Sequence, residues 1–489
     1  MDAKLSQYVS VGFAVLFWLI CKNHESVALR IYTGFSVFYP DLYNQLTSCD
    51  SDPFRLNQSL RLMQHPVGKP HIFIWCTHVL TGFIMDEEGK FDLKKISYES
   101  LMYALNFGSA IRLVTKLYPS GGKESKVYPP TFSEGKYAFE SRIRDDGSVV
   151  QTVLLDSVQS QANRMEEALL QTIRSGRIDL KLLYTDFSDN FPDIGKVSTY
   201  ETPHRIADAI FRESSLDGIP FRDTEIGKSF VNSSTRNATG LFKYCPHALI
   251  FGVWDSTAPG VMGNKFQRAI VSEIVGFNAI SGVHTLSRID PIIHSNPSLF
   301  EAPDGTWTPI PEKAAKEGNK LKKFSKKLSE LNLGNVSPTI KETGGGVSID
   351  EAVQTTVISI PALRRLRFPV DGKSSEELDN KARTVLLALA LSAISHTRDI
   401  GFDLRSRCLL VSKGDSPLEM LRKDSGPMYF SLDSRSADEI LAQSIKEAKQ
   451  SGLPWMDNDI SLKPNQNLID LIRRSRELHD ERDTKDSSQ

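Results

Sequence analysis

The stretch Leu155–Leu169 reads LDSVQSQANRMEEAL, and its opening helical turns carry three amides, Gln159, Gln161 and Asn163, with one arginine, Arg164. An amide offers donors and an acceptor together, and a guanidinium can fork onto two phosphate oxygens. A helix that begins directly after a strand also presents free N–H groups to an anion. The same residues could instead be the wet side of an ordinary capped helix, and chemistry alone leaves both readings open. On a helical projection Gln161 and Arg164 share one face and Gln159 and Asn163 another. Gln161 borders the apolar stripe, and the other three point away from it.

Further candidates for anion contact are spread along the chain. Lys265, Gln267 and Arg268 leave a Gly/Pro loop in FGVWDSTAPGVMGNKFQRAI, which lacks the G-x-x-x-x-G-K-[ST] spacing of a nucleotide-hydrolysing loop. LRRLRFP holds Arg364, Arg365 and Arg367, and on a strand Arg365 and Arg367 share a face. LRSRC repeats that spacing with Arg405 and Arg407. Two such clusters suit a groove that tracks a nucleic-acid backbone, although exposed arginines on strands are commonly solvated charge. His204 beside Arg205 suggests acid–base cleavage of RNA, against the commoner packing or capping histidine. Asp255 beside Ser256 reads first as a turn and second as a catalytic carboxylate. His204, His247, His284 and His396 form no pair at ligand spacing, so no zinc site is expected.

The elements that must position these residues follow from periodicity and punctuation. Ser109–Tyr118 and Ser148–Leu155 read as strands. Asp156 or Ser157 then caps a helix whose stripe is Val158, Ala162, Met165 and Leu169. PHRIADAIFRES is predicted helical, with Thr202 as cap and Pro203 in the first turn. NATGLFKYC is a second helix, Ala248–Trp254 a strand buried on both faces, and FQRAIVSEIVGF another strand. The lysine-rich insert at 311–335 spaces Leu321, Phe324, Leu328 and Leu331 as a helical stripe. Two strands are expected within GGGVSIDEAVQTTVISIPALRRLRFPV, followed by a long apolar helix in ARTVLLALALSAISH. The charged residues 479–489 predict a disordered tail.

With 489 residues, 40% of them hydrophobic and 24% charged, the chain is ordinary globular material able to bury a large core. Its formal net charge of −1 argues against an overall cationic coat, not against basic residues gathered on one face. Five cysteines without C-x-x-C spacing fit reduced, buried thiols in a cytoplasmic protein. Leu5–Cys21 is uncharged but just short of the roughly 18–20 residues of a spanning helix. It is read first as a buried helix or a non-core extension, second as the product of an upstream start codon and third as a membrane anchor, and residues 1–90 as an N-terminal extension of unknown role.

Six blocks in order carry a resemblance: LLDSVQSQANRMEEAL, TPHRIADAIFRES, NATGLF…CPHALIFGVWDST, GNKFQRAIVSEIVG, GGVSIDEAVQTTVISIPALRRLRFP and GFDLRSRCLLV. Together they resemble the RAMP-superfamily backbone subunit of type I-G (formerly I-U) CRISPR–Cas effector complexes, from about Ile96 to Val411. The resemblance implies an α+β fold. Its centre is an RRM-like (ferredoxin-like) palm, an antiparallel sheet with helices packed on it, elaborated by long insertions within residues 91–478. It further implies that copies of the chain stack along the spacer of a CRISPR RNA and present its bases to a target DNA strand, alongside other effector subunits. No membrane, cofactor or catalytic residue is expected. Such a subunit must hold any spacer, so it needs contacts to phosphate and 2′-hydroxyl. The residues assigned to that grip are Gln159, Gln161, Asn163 and Arg164, then Lys265, Gln267 and Arg268, then Arg365, Arg367, Arg405 and Arg407, with His204 and Arg205. The loop at 258–264 or the insert at 313–327 is the candidate finger toward a neighbouring copy. The alternative is a RAMP endoribonuclease using His204, or Asp156 or Asp255.

Overall fold

Alternation of buried and open side chains organises the largest sheet, which is antiparallel, and a smaller five-stranded sheet pairs residues 460–464 with 183–186 and 214–216. The computed structural model describes Ile84–Met85 and residues 91–488 apart from 258–263, with side chains for 93–479 except at Asn264. The chain divides into two compact units, residues 1–91 and 92–489, and the sheet with all its helices lies in the second. Among the described residues no helix is long and apolar enough to cross a membrane; Leu5–Cys21 lies outside them.

Helix α1 (Tyr98–Phe107) leads into the long strand β1 (Gly108–Pro119). A hairpin of β2 (Phe139–Ile143) and β3 (Val149–Asp156) follows, then α2 (Val158–Arg174). Two short helices, α3 (Thr239–Tyr244) and α4 (Pro246–Phe251), precede the hairpin of β4 (Val253–Asp255) and β5 (Asn264–Phe266). Next come β6 (Ile270–Phe277), β7 (Glu351–Ser359), α5 (Ile360–Arg364) and α6 (Glu376–Ile400). The chain returns as β8 (Phe402–Asp403), β9 (Leu409–Ser412), β10 (Leu418–Arg422) and β11 (Met428–Phe430), then α7 (Ser434–Gln450) and α8 (Gln466–Ser488). The sheet runs β8-β9-β1-β7-β6-β3-β2, with β10 also on β1 and β11 on β10.

Every pair in this sheet is antiparallel, and the pleat decides which face is covered. Ile111, Leu113, Thr115 and Leu117 of β1 and Ala352, Gln354, Thr356 and Ile358 of β7 are buried. Gln161 of α2 hydrogen-bonds Gln354 and Ser272 on that same side, which places α2 there. The opposite face carries Arg112, Val114, Lys116 and Tyr118, half-buried to exposed. Helix α6 packs against α1, α2, α4 and α7 and is buried from Ala382 to Thr397, which explains a sequence apolar all round.

Between β6 and β7 the chain leaves the sheet as an arm. Ile280–Ser281 pair with Val347–Ser348, then His284–Arg288 with Val336–Lys341. Beyond this ribbon sits a small head with its own cluster of Leu299, Phe324 and Leu328.

Several elements differ from expectation for identifiable reasons. Residues 246–251 form α4, not a strand, because Pro246 starts a helix well; only 253–255 extend, after Gly252 at φ +86°. The helix expected in PHRIADAIFRES is two single turns, Arg205–Ala207 and Ala209–Arg212, since Arg205 sits at φ +54° and Asp208 caps a fresh turn. In the lysine-rich insert Phe324 and Leu328 do pack together, but on short strands and a 3-10 turn instead of a helix, with Gly318 in a left-handed turn. LRRLRFP closes α5 and continues as loop, because Ser359 caps and Pro361 opens a helix there. Helix α8 runs to Ser488, with ion pairs such as Arg473–Asp470 one turn apart on its exposed side.

Candidate nucleic-acid interface

Strand β3 ends on Asp156, 1% exposed and held by four donors from two segments. Ser160 Oγ (2.9 Å), Gln161 Nε2 (2.7 Å) and Arg164 Nε (3.0 Å) reach it from α2. Arg405 Nη2 (3.1 Å) reaches it from the turn between β8 and β9. Ser157 is the helix cap, accepting from Ser160 N at 3.2 Å, which leaves Asp156 free for this wider role. Arg164 also donates to the carbonyls of Leu404 (2.6 Å) and Asp403 (3.4 Å), so one guanidinium ties α2 to that turn.

Both arginines keep an open side. Their side chains are 29% and 27% exposed, and each has N–H donors beyond those committed internally. Arg407, exposed and at φ +62°, lies 3.8 Å over the Tyr128 ring, and Arg405 Nη1 contacts the Tyr128 carbonyl at 3.4 Å. Gln159 and Asn163 face solvent from the outer side of α2. Three of the sequence-predicted residues therefore gather here, Arg164, Arg405 and Arg407, while Gln159 and Asn163 are exposed on another face of α2. Asp156 cancels one of the three guanidinium charges, which leaves the patch cationic before the exposed Asp403 at its rim is counted. Burial pushes the Cys408 thiol up, so the sulfur beside Arg405 stays protonated.

Gln161 is a correction. It is 1% exposed, its Nε2 is committed to Asp156, and its Oε1 accepts from Gln354 Nε2 (2.8 Å) and Ser272 Oγ (3.1 Å). Its place beside the apolar stripe took it into the core, where an unpaired amide would be costly.

Arg205 is corrected likewise. Its Nε and Nη2 grip Glu166 at 2.6 and 2.7 Å, its Nη1 donates to the Gly252 carbonyl at 2.8 Å, and the side chains are 7% and 2% exposed. Around this pair Tyr200 stacks on His247 at 3.8 Å, and His247 Nε2 lies 3.4 Å from Cys245 Sγ. Burial pushes Glu166 up to about 7 against the pull of Arg205 and Arg268, and pushes His247 down to about 3. His204 is exposed next door.

Lys265, Gln267 and Arg268 belong to a second patch at the β4–β5 hairpin. Lys265 lies 5.5 Å from the Trp254 ring centre, and Arg268 is half-buried near Glu166 and Arg205. Arg365 and Arg367 sit at the far end of the molecule. Arg367 pairs with Asp379 (2.7 Å) in the first turn of α6, whereas Arg164 meets the chain just past that helix's last turn. Twenty-five residues of helix separate the two places by about 37 Å at 1.5 Å per residue. Asp255 anchors a turn, accepting from Thr257 N (2.8 Å) and Arg222 Nη2 (3.1 Å). Among the described residues no group of three or more His, Cys, Asp or Glu is placed to hold a metal.

Sequence reasoning missed Tyr128, which sits in a loop without any motif, and the open sheet face. There Arg112 Nε donates to Glu419 (2.8 Å) and Arg142 bridges Glu140 and Glu273. The alternation of β1 held that signal in Arg112, Lys116 and Tyr118.

Residues 111–281, about a third of the chain, match the sequence profile of the family described as CRISPR-associated protein GSU0053. That stretch, which runs from β1 past β6 and includes Asp156 and Arg164, is thus similar to a CRISPR-associated protein. No curated protein matches the chain.

Proposed function

We propose that this chain is an RNA-binding backbone subunit of a type I CRISPR effector complex, in which several copies stack along the spacer of a CRISPR RNA. The observation that carries the reading is the half-open arginine pair on Asp156, with Arg407 brought beside it through Tyr128. These groups offer N–H donors to phosphate and ribose and no pocket for a particular base, so the sequence is left to pairing with target DNA.

Two further features support it. The order β1, α2, β6, β7, α6 and β9–β10, leaving aside the β2–β3 hairpin inserted after β1, supports a ferredoxin-like palm, since the last strands lie beside β1 and β7 lies between β1 and β6. The β2–β3 hairpin then extends the sheet past β6. The arm between β6 and β7 exposes Ile280, Val283, Ile289, Ile292 and Ile340, an apolar surface suited to the neighbouring copy.

The test is binding of the purified protein to two single-stranded RNAs of unrelated sequence across a salt series. Equal affinities, a salt slope of several phosphate contacts and particles that lengthen with the RNA are expected. Sequence-dependent affinity, or a lone particle indifferent to RNA, overturns the reading. Cleavage of repeat RNA that is abolished by His204→Ala or Asp255→Ala would replace it with the nuclease alternative.

A further inference from the structure

The root of the arm and the arginine patch share one side chain. Residues 127–128 run between them, and Val127 exchanges backbone hydrogen bonds with Val347 at the arm's return (2.9 and 2.8 Å). On the other side, Tyr128 N donates to the Arg407 carbonyl (3.2 Å), and the Tyr128 ring carries the Arg407 guanidinium.

That ring also closes over the arm's crossing point. Gly346 has φ +76°, and a Cβ there would stand 2.9–3.0 Å from two ring carbons of Tyr128. The glycine's own N–H donates to Tyr137 Oη (3.1 Å), and its carbonyl accepts from Gly282 N (2.9 Å). At Gly345 a Cβ would come within 2.2 Å of the Val283 carbonyl carbon. The two chains of the arm therefore cross with no room for side chains, and Tyr128 packs against that crossing.

We infer that Tyr128 is a positioning residue that couples the arm to the RNA grip: the geometry of the arm's root decides whether Arg407 is held beside Arg405 and Arg164. Resting on the backbone-subunit reading, this inference adds a linkage. An event that orders the arm, such as its engagement by a neighbouring copy, also organises the arginine that meets the RNA. Left-handed backbone at Arg407 makes the support necessary, because an exposed non-glycine residue does not adopt that conformation cheaply. A stacked ring supplies the restraint.

The experiment is a double-mutant cycle on single-stranded RNA binding over a salt series, with Arg164→Ala as an internal reference. Tyr128→Ala and Arg407→Ala are each expected to weaken binding about fivefold. Each also lowers the log–log salt slope by about 0.7, the share of one phosphate on a single strand. The double variant should lose no more than either single one. Tyr128→Phe keeps the ring and should bind as the wild type does, which separates positioning from misfolding. Gly346→Ala, which touches no RNA in this scheme, should reproduce the Tyr128→Ala loss while Arg164→Ala adds to it.

Additive losses from Tyr128→Ala and Arg407→Ala, or an unchanged salt slope in Gly346→Ala, overturn the coupling while leaving the RNA-binding reading intact. A wild type without salt-dependent RNA binding defeats that reading and the coupling with it.

Discussion

Helix α2 holds two carboxylate–arginine pairs that look alike in sequence and behave differently. Glu166–Arg205 is sealed: bidentate, closed by Phe251, Tyr200 and His247, and buried. Asp156–Arg164–Arg405 has its carboxylate buried and its guanidiniums leaning outward. The contrast teaches that arginine count is a poor guide to an anion site. What matters is whether the carboxylate holds the guanidinium by one edge and leaves the other to water. A sealed pair secures the fold, and a half-open one is a preorganised donor.

Cutting the sealed pair should do the most damage. Arg205→Ala leaves Glu166 uncompensated in the core, with an expected loss of about 3–5 kcal/mol in urea unfolding. The folded fraction should still bind RNA normally. Asp156→Ala should cost less, about 1–3 kcal/mol: Arg164 and Arg405 can turn to water, and the main loss is the buried Gln161 amide left without that acceptor. If the two variants lose equal stability, the distinction between the pairs is wrong.

A pH series probes the sealed site next. With unfolded values of 4.5 and 6.5, Glu166 stabilises the fold below 4.5, and this is lost as pH rises through about 7. His247 stabilises above 6.5, and its share is lost as pH falls toward about 3. The two slopes oppose one another between those unfolded values. His247→Asn should therefore unmask a decline of about 1.4 kcal/mol per pH unit from 4.5 up to 7. A flat profile in that variant would mean that Glu166 is not raised by burial.

At the open site Arg164→Ala should weaken every spacer alike by about tenfold. Loss confined to particular spacers would contradict a phosphate contact. Smallest of all, Arg365→Ala and Arg367→Ala, at the far end of α6, should leave RNA affinity within about twofold. A large loss there would extend the interface well beyond the Asp156 patch.

Much of the framework was legible along the chain. The β1 and β3 strands, the capped α2 and the all-apolar α6 follow from periodicity and punctuation. The errors cluster where short apolar runs sit beside proline, as in α4 and α5, because such runs satisfy either period and the proline decides. Gln161 and Arg205 were misassigned for one reason: local sequence gives residue type and helix face but not depth. The neighbours that bury them come from Ser272, Gln354 and Gly252.

By itself the sequence determined the long strands β1 and β3, the capped α2 and the apolar α6, and that amides and an arginine crowd the start of α2, since caps and periodicity act over a few residues. Tertiary structure alone decided which of those groups reach solvent. Asp156 meets Arg405 across 249 positions, and Arg164 meets the Leu404 carbonyl across 240. Whether a guanidinium is sealed or open depends on what packs against it from such distances, and no local spacing encodes that.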